Sequence, residues 1–392
     1  MALVNMRDLV YHAYDNNYAV GAFDLISLEF LEAVIDAAER CRAAIILSVA
    51  EPQFAHYDYE LLLPAIEAAA KRASIPVAIQ LDHGRSLESA VKAINRGCNG
   101  VMLDASNQLL PDNIRVTGAV VEAAHRCGVP VAGELGYVAG HEGEGAEMHP
   151  GETSLTIPSE ARAYVERTGV DFLAVSIGTV QGRMKGRAKL DYPRLKQLNQ
   201  TLNIPLVIHG GSGLNEDQFR KLTSYGIAKI NYFTALSDIA AKAMRQQSRL
   251  NPGGSCIDIQ KDVKKAIGAE VERCLRLWGC AGRAAEVITQ CEPWSPVEHL
   301  IVHNVNKLHE QQFSEMMEEG KRLLSGIPGV REVFAGRAIN ENGRYRFCLL
   351  LRFTHKTVID TYRDHPDFVT FSNKHFSPYA SDALSADYQG RS

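Results

Sequence analysis

The chain has 392 residues, a net charge of −4, 46% hydrophobic and 22% charged residues. This is the composition of a globular protein long enough for one large and one small domain. The slight acidity argues against nucleic acid or an anionic membrane as the main partner, and no apolar run is long enough to span a bilayer. The first residues, Met1 to Asp8, lack a basic segment followed by an apolar one, so no secretory signal is expected. Eight scattered cysteines with no CxxC pair argue against a disulfide framework or a thiolate zinc site and fit a reducing cytoplasm.

In chain order, short apolar runs alternate with amphipathic stretches. The runs are Ala19–Phe23, Ala44–Ser48, Val77–Leu81, Gly100–Leu103, Val131–Glu134, Phe172–Ile177, Pro205–Ile208 and Ala228–Ile230. Most are apolar on both faces, as parallel strands covered by helices must be. Helices are expected over Leu28–Arg42, Tyr59–Lys71, Leu87–Asn95, Val116–Cys127, Pro158–Thr168, Tyr192–Gln197 and Glu216–Ser224. Eight such units predict a TIM-type (β/α)₈ barrel over residues 1–290. An open doubly wound sheet would concentrate polar residues at one switch point, whereas here they end many strands.

Glu292-Pro293-Trp294-Ser295-Pro296 reads as a stiff linker over residues 291–297. Beyond it the pattern changes to a strand (Glu298–Val305), a helix (Glu310–Leu324), two strands (Gly329–Ile339 and Tyr345–Phe353) and a short helix (Thr357–Asp364) stopped by Pro366. A last strand follows at Ala383–Tyr388, and Asn342-Gly343 signals a hairpin between the middle strands. The order β-α-β-β-α-β predicts a small ferredoxin-like α+β domain over residues 298–392.

A barrel places its chemistry at the C-terminal strand ends. Those ends carry Asp82-His83-Gly84, Asp104, Glu134, Gln181-Gly182, His209-Gly210-Gly211-Ser212-Gly213 and Asn231-Tyr232-Phe233-Thr234. His83 and His209 would share one rim, where imidazole suits a divalent metal. Asp82 is placed for proton transfer. The glycine-rich turn offers backbone N–H groups to a phosphate. Taken singly, each is more often structural: a strand-end histidine is usually just hydrogen-bonded, and Gly-rich turns usually serve backbone geometry. Their joint placement reverses that balance.

These motifs, with Gly21-Ala22-Phe23, Val101-Met102-Leu103-Asp104, Ile177-Gly178-Thr179 and Lys229-Ile230-Asn231, resemble the class II ketose-bisphosphate aldolases over roughly residues 1–290. The resemblance implies a lyase that breaks or forms a C–C bond in a phosphorylated ketose, with dihydroxyacetone phosphate as a product. It implies Asp82 as acid/base and His83 and His209 as zinc ligands. It also implies Gly182, Lys185, Gly210, Gly211, Ser212, Asn231, Tyr232, Phe233 and Thr234 as the phosphate-bearing substrate site. The loop Tyr137–Thr153 would be a lid.

Zinc or another divalent metal is the expected cofactor, with a monovalent cation as a possible second ion. The resemblance fails at one ligand: the family carries a histidine in the turn after strand six, where this chain has Gln181. An amide oxygen is a rare zinc ligand, so the site would bind metal loosely, choose another metal, recruit Glu134, His141 or His149, or hold none. In that last case the chain would be a degenerate sugar-phosphate-binding or partner-binding protein. Asp24 and Met184 depart from the family's usual Asn and Tyr.

The tail, through His299-Leu300-Ile301-Val302, Gly329-Val330-Arg331, Tyr362-Arg363-Asp364-His365-Pro366 and Asp387-Tyr388, resembles the stress-responsive Dabb (dimeric α/β barrel) domains. That implies a homo-oligomer, dimer or tetramer, formed partly through this domain. His299, His303, His365 and His375 are candidates to line a pocket there.

Overall fold

The structure is a computed structural model that describes residues 2–138, 147–148, 154–184, 189–305, 310–340 and 342–390. Eight parallel strands close into a barrel: β1 (Val20–Asp24), β2 (Ile45–Ala50), β3 (Val77–Gly84), β4 (Gly100–Leu103), β5 (Val131–Leu135), β6 (Phe172–Val175), β7 (Leu206–Ile208) and β8 (Ile227–Tyr232). β1 closes the ring against β8, with Val20 opposite Lys229 and Ala22 opposite Asn231. Every residue of these strands is buried, because the helices cover one face and the barrel interior the other.

The helices start and stop where local chemistry dictates. α1 (Met6–Asp15) is capped by Asn5 and closes the bottom of the barrel, with Met6 lying where a side chain on Gly100 would have to go. α2 (Leu28–Cys41) is capped by Ser27 and ends on left-handed Arg42. α3 (Tyr59–Arg72) is capped by Asp58, and α4 (Leu87–Asn95) opens on a Ser86/Ser89 capping box. α5 (Leu110–His125) begins six residues before the expected Val116, because Pro111 in its first turn presets the helical φ. α6 (Pro158–Thr168) ends on left-handed Gly169, followed by α7 (Tyr192–Leu202), α8 (Glu216–Ser224) and α9 (Thr234–Leu250).

The segment expected as a linker is packed. Glu292 and Trp294 hydrogen-bond through their backbones to Asn5 and Leu3, and Trp294 stacks on His355 at 4.3 Å. After it come β9 (Val297–Val305), β10 (Val330–Arg337), β11 (Phe347–Phe353) and β12 (Ala380–Gln389), in the antiparallel order β10-β11-β9-β12, a ferredoxin-like sheet. The two middle strands pair antiparallel as the expected hairpin, with pairing ending at Arg337–Phe347. Pro366 does stop the preceding helix, but it also starts a new one, Pro366–Thr370.

One face of this sheet lies under helices. The other carries Leu300 and Val302 of β9, Leu350 of β11, Phe334 of β10 and Leu384 of β12, which neighbour one another through the strand register. Phe334 is 51% and Leu384 57% exposed. The four histidines do not share a pocket. His299 is buried between Tyr362 and Asp387, His303 packs on Phe347 and Phe376, and the 440 Å³ cavity of this domain is lined by other residues.

The domains are clamped at α4. Asn95 accepts from the Gly329 N–H and donates to the Ser325 and Ile327 carbonyls. Arg331 of β10 makes a bidentate pair with Glu67 of α3 at 2.6 and 2.7 Å, with only 17% and 13% of their side chains exposed. Burial alone would raise the Glu67 carboxyl, but Arg331 and Lys71 outweigh it and hold it down to about 2. A depressed carboxyl stabilises the folded chain above its ordinary value of 4.5, and that contribution fades as pH falls towards 2. Glu67→Gln should therefore cost on the order of 3 kcal/mol at pH 7. In urea unfolding followed from pH 7 to pH 2, the wild-type advantage over the variant should shrink steadily below pH 4.5. A constant difference would mean that Glu67 contributes no charge to the clamp.

Candidate active site

Inside a strand successive side chains alternate between faces. Gln80 and Asp82 of β3, and Lys229 and Asn231 of β8, therefore point into the barrel. They form one polar chain. The Lys229 ammonium donates to Asn231 Oδ1 at 2.8 Å, Asn231 Nδ2 donates to Asp82 Oδ2, and Gln80 Nε2 donates to Asp82 Oδ1 at 2.9 Å. Asp82, Gln80 and Lys229 have no exposed surface.

His83 follows Asp82 directly, so a regular strand would turn it outwards. Instead its backbone is left-handed, φ +47°, and the β3–β4 register slips between Leu81 and Gly84. A bulge of this kind re-aims a side chain at the cost of local strain. It lets two consecutive residues face one mouth. His83 Nδ1 bonds Asp104 Oδ2 at 3.0 Å, and Asp104 is fixed in turn by the N–H and hydroxyl of Ser106. This leaves His83 Nε2 facing the centre, 4.0 Å from Asp82 Oδ2 and 3.4 Å from Gln181 Nε2.

His209, at the end of β7, lies ring to ring with His83 at 4.6 Å, and its Nε2 is 3.9 Å from Glu134 Oε2 of β5. Ligand atoms of Asp82, His83 and His209 lie within 4.8 Å of one another, as do those of His83, Asp104 and Glu134. Two imidazoles with carboxylates at this spacing, one imidazole oriented by a carboxylate behind it, suit a divalent cation.

The charges are arranged in opposition. Burial would raise Asp82, but His83, His209 and Lys229 outweigh it and hold the carboxyl below its ordinary range. Burial would lower His83, but Asp82 and Asp104 push it well above the ordinary imidazole value. Burial and the charge of His83 drive His209 down.

The expected phosphate residues divide. Gly210 is left-handed and lies against the Val180 carbonyl, where a Cβ would clash; Gly182 is left-handed as well. Ser212 Oγ accepts the Ala235 N–H, so the glycine-rich turn meets the N-terminus of the 17-residue α9. Thr234 begins that helix and Asn231 faces the barrel interior. Tyr232 and Phe233 point away: the Tyr232 hydroxyl donates to Glu270 and its ring meets Trp278, while Phe233 packs on Phe30. Strand alternation puts Tyr232 outside once Asn231 is inside, so this segment offers a ligand its backbone and not those two rings. Lys185, His141 and His149 lie outside the described residues, as does most of the expected lid.

A barrel with an aspartate–imidazole pair on β3, a second imidazole after β7 and a glycine-rich turn at a helix N-terminus matches one sequence family in order. Residues 4–283 match the family described as fructose-bisphosphate aldolase class-II. The chain belongs to this family. Residues 297–389 match the stress responsive A/B barrel domain. A fructose-bisphosphate aldolase of Thermus caldophilus is 36% identical, covering 72% of this chain and all of that protein. A probable fructose-bisphosphate aldolase of Bacillus subtilis is 37% identical over 64% of this chain and 88% of its own length. The crystal structure of the YdjI aldolase from Escherichia coli K12 superposes with a TM-score of 0.64 at 31% identity, covering 72% of this chain and 99% of that one. The chain is thus an aldolase-type lyase.

Three contributors were given no such role from sequence. Asp104 orients His83, Lys229 supplies the charge opposite Asp82, and Gln80 fixes the carboxylate from below. Alternation could have flagged Lys229 and Gln80, because a polar residue two positions before Asn231 or Asp82 must share its interior face. Lys229→Met should destabilise the fold by about 3–5 kcal/mol, since it leaves a sealed carboxylate with less compensation. A loss under 1 kcal/mol in denaturant unfolding would mean that Lys229 does not offset Asp82.

Proposed function

We propose that this chain is a metal-dependent aldolase that cleaves or forms a C–C bond in a phosphorylated ketose, with dihydroxyacetone phosphate as one product. The observation that carries the reading is the convergence of an ionised Asp82 and two imidazoles beside the glycine-rich turn and the α9 N-terminus. In this reading His83 and His209 hold the ion, with Glu134 close enough to join and Gln181 in the position of the missing third imidazole. Zinc is the ion that this nitrogen-rich donor set favours. A divalent metal there supplies a Lewis acid for the ketone oxygen.

The chain's own residues do the rest. The backbone N–H groups of Gly182, Gly210, Gly211 and Ser212, with Asn231 and Thr234, hold the phosphate-bearing half, and Lys185 adds charge to it. Asp82 accepts the proton of the C4 hydroxyl. The O–H electron pair becomes the aldehyde C=O, and the C3–C4 pair moves onto the ketone to give an enediolate. A proton from solvent water at C3 then releases dihydroxyacetone phosphate, and Asp82 returns its proton to solvent. Asn231 and Gln80 hold the Asp82 carboxylate in place while the proton moves.

A second reading, a degenerate sugar-phosphate binder, is favoured by one contact. Gln181 Nε2 lies 3.4 Å from His83 Nε2, the ring atom that a metal would use, and so occupies the approach to it.

The chain divides at 290 and 298, and its small domain pairs with a second copy through the open face of Leu300, Val302, Phe334, Leu350 and Leu384. Apolar sheet faces of this kind are covered in a stable protein. Among the described residues no helix can cross a membrane, and all eight cysteines are free, which fits a cytoplasmic protein acting on a small metabolite.

The first test is metal analysis of the purified chain with a retro-aldol assay across phosphoketoses. Asp82→Asn should lower kcat by roughly 10²–10⁴-fold with metal content kept. Gln181→His should tighten metal binding about tenfold or more. Turnover appearing only in Gln181→His would establish the degenerate reading instead. Leu384→Asp should shift the sedimentation coefficient to that of a smaller species; an unchanged value removes the sheet face from the interface.

A further inference from the structure

The cavity beside His83 has a wall that the chemistry above leaves unused. It encloses about 340 Å³ between the ends of β2, β3, β4 and β5. Its polar lining includes Gln53, Arg85, Ser106, Asn107 and Gln108. Gln53 stands in the one-turn helix Glu51–Ala55 that follows β2. It is only 7% exposed, and neither its amide nitrogen nor its amide oxygen has a hydrogen-bond partner among the described residues. A buried amide left without donor or acceptor partners is costly, so its bonding calls for a partner from water or from a bound ligand.

Among the described lining residues other than His83, this wall carries one cation and one anion. Arg85 is the lysine- or arginine-type cation among the described lining residues, and Asp104 is the carboxylate facing the same space. Glu51, outside the lining, accepts the backbone N–H of Arg85 at 2.9 Å. Among the described lining residues other than His83, a dianionic phosphate would meet one guanidinium and one carboxylate here. The opposite side of the mouth has the contrary character, a glycine-rich turn at the head of a 17-residue helix. One half of the site is built for an anion and the other for hydroxyl groups.

We infer that the cavity holds the aldehyde half of the substrate, that this half is an uncharged polyhydroxy aldehyde, and that Gln53 determines its selection. The substrate class is then a ketose carrying one phosphate, not two. This rests on the aldolase reading above. An amide presents one donor edge and one acceptor edge, the complement of a sugar hydroxyl or a vicinal diol. Sites that hydrogen-bond a substrate hydroxyl discriminate strongly against analogues that lack it.

The test is aldol condensation by the full-length chain, as purified with its metal. Dihydroxyacetone phosphate is offered glyceraldehyde, erythrose, glyceraldehyde 3-phosphate or propanal, and solvent exchange at its C3 is followed in parallel. The expected result is kcat/KM for glyceraldehyde or erythrose at least about tenfold above that for glyceraldehyde 3-phosphate. Gln53→Leu should reduce the glyceraldehyde-to-propanal ratio of kcat/KM by about tenfold or more, mainly through KM. Equal use of both aldehydes, preference for the phosphorylated one, or exchange without any condensation overturns the subsite and leaves the aldolase reading standing. Loss of exchange and condensation together overturns both. The wild-type preference decides the charge question even if the variant does not fold.

Discussion

A carboxylate with no exposed surface at the centre of a closed barrel must be compensated, because an isolated charge in a low-dielectric interior is too costly to keep. Asp82 is that carboxylate, and its surroundings answer to it. Lys229 delivers a charge through Asn231, Gln80 saturates the second oxygen, and His83 and His209 face it from the rim. The same requirement accounts for the bulge at His83. An imidazole adjacent in sequence reaches the mouth only if the strand breaks its alternation, and the left-handed residue does this. Strain at His83 is held by the Asp104–Ser106 bonds behind it.

The second domain is joined to this centre by structure and not merely by chain. α4 starts three residues after Gly84 and carries Asn95, which clamps the Ser325–Gly329 loop. α3 carries Glu67, which holds Arg331. Trp294 on His355 and the backbone pairing of Glu292 and Trp294 with the N-terminal segment seal the join. The small domain thus rests on the helices flanking β3, the strand with both Asp82 and His83. Its outward sheet face remains apolar, with Phe334 and Leu384 half exposed.

Membership of the aldolase family does not make the site an average one. Gln181 places an amide in hydrogen-bond range of His83. The cavity beside His83 is lined by the amides of Gln53, Asn107, Gln108 and Gln181 and the hydroxyls of Ser106 and Tyr137, together with Arg85 and Asp104. The turn after β7 has left-handed Gly210 and Gly213 and meets the N-terminus of α9 through Ser212, a backbone arrangement that allows close approach.

The sequence by itself determined the architecture. Eight apolar runs with interleaved helices specify a closed parallel barrel, and β-α-β-β-α-β a ferredoxin-like tail, because periodicity and burial are local properties of the chain. It also determined which strand ends carry Asp82, His83 and His209. Other features were decided by tertiary structure. Tyr232 and Phe233 turn away from the mouth, the segment expected as a linker packs against the N-terminal segment, and the four tail histidines disperse. Asp104 becomes a partner of His83, Lys229 a counter-charge and Gln53 a buried amide with no partner among the described residues. Each depends on which side chains from distant strands meet, and that is set by barrel closure and register, which local sequence does not encode.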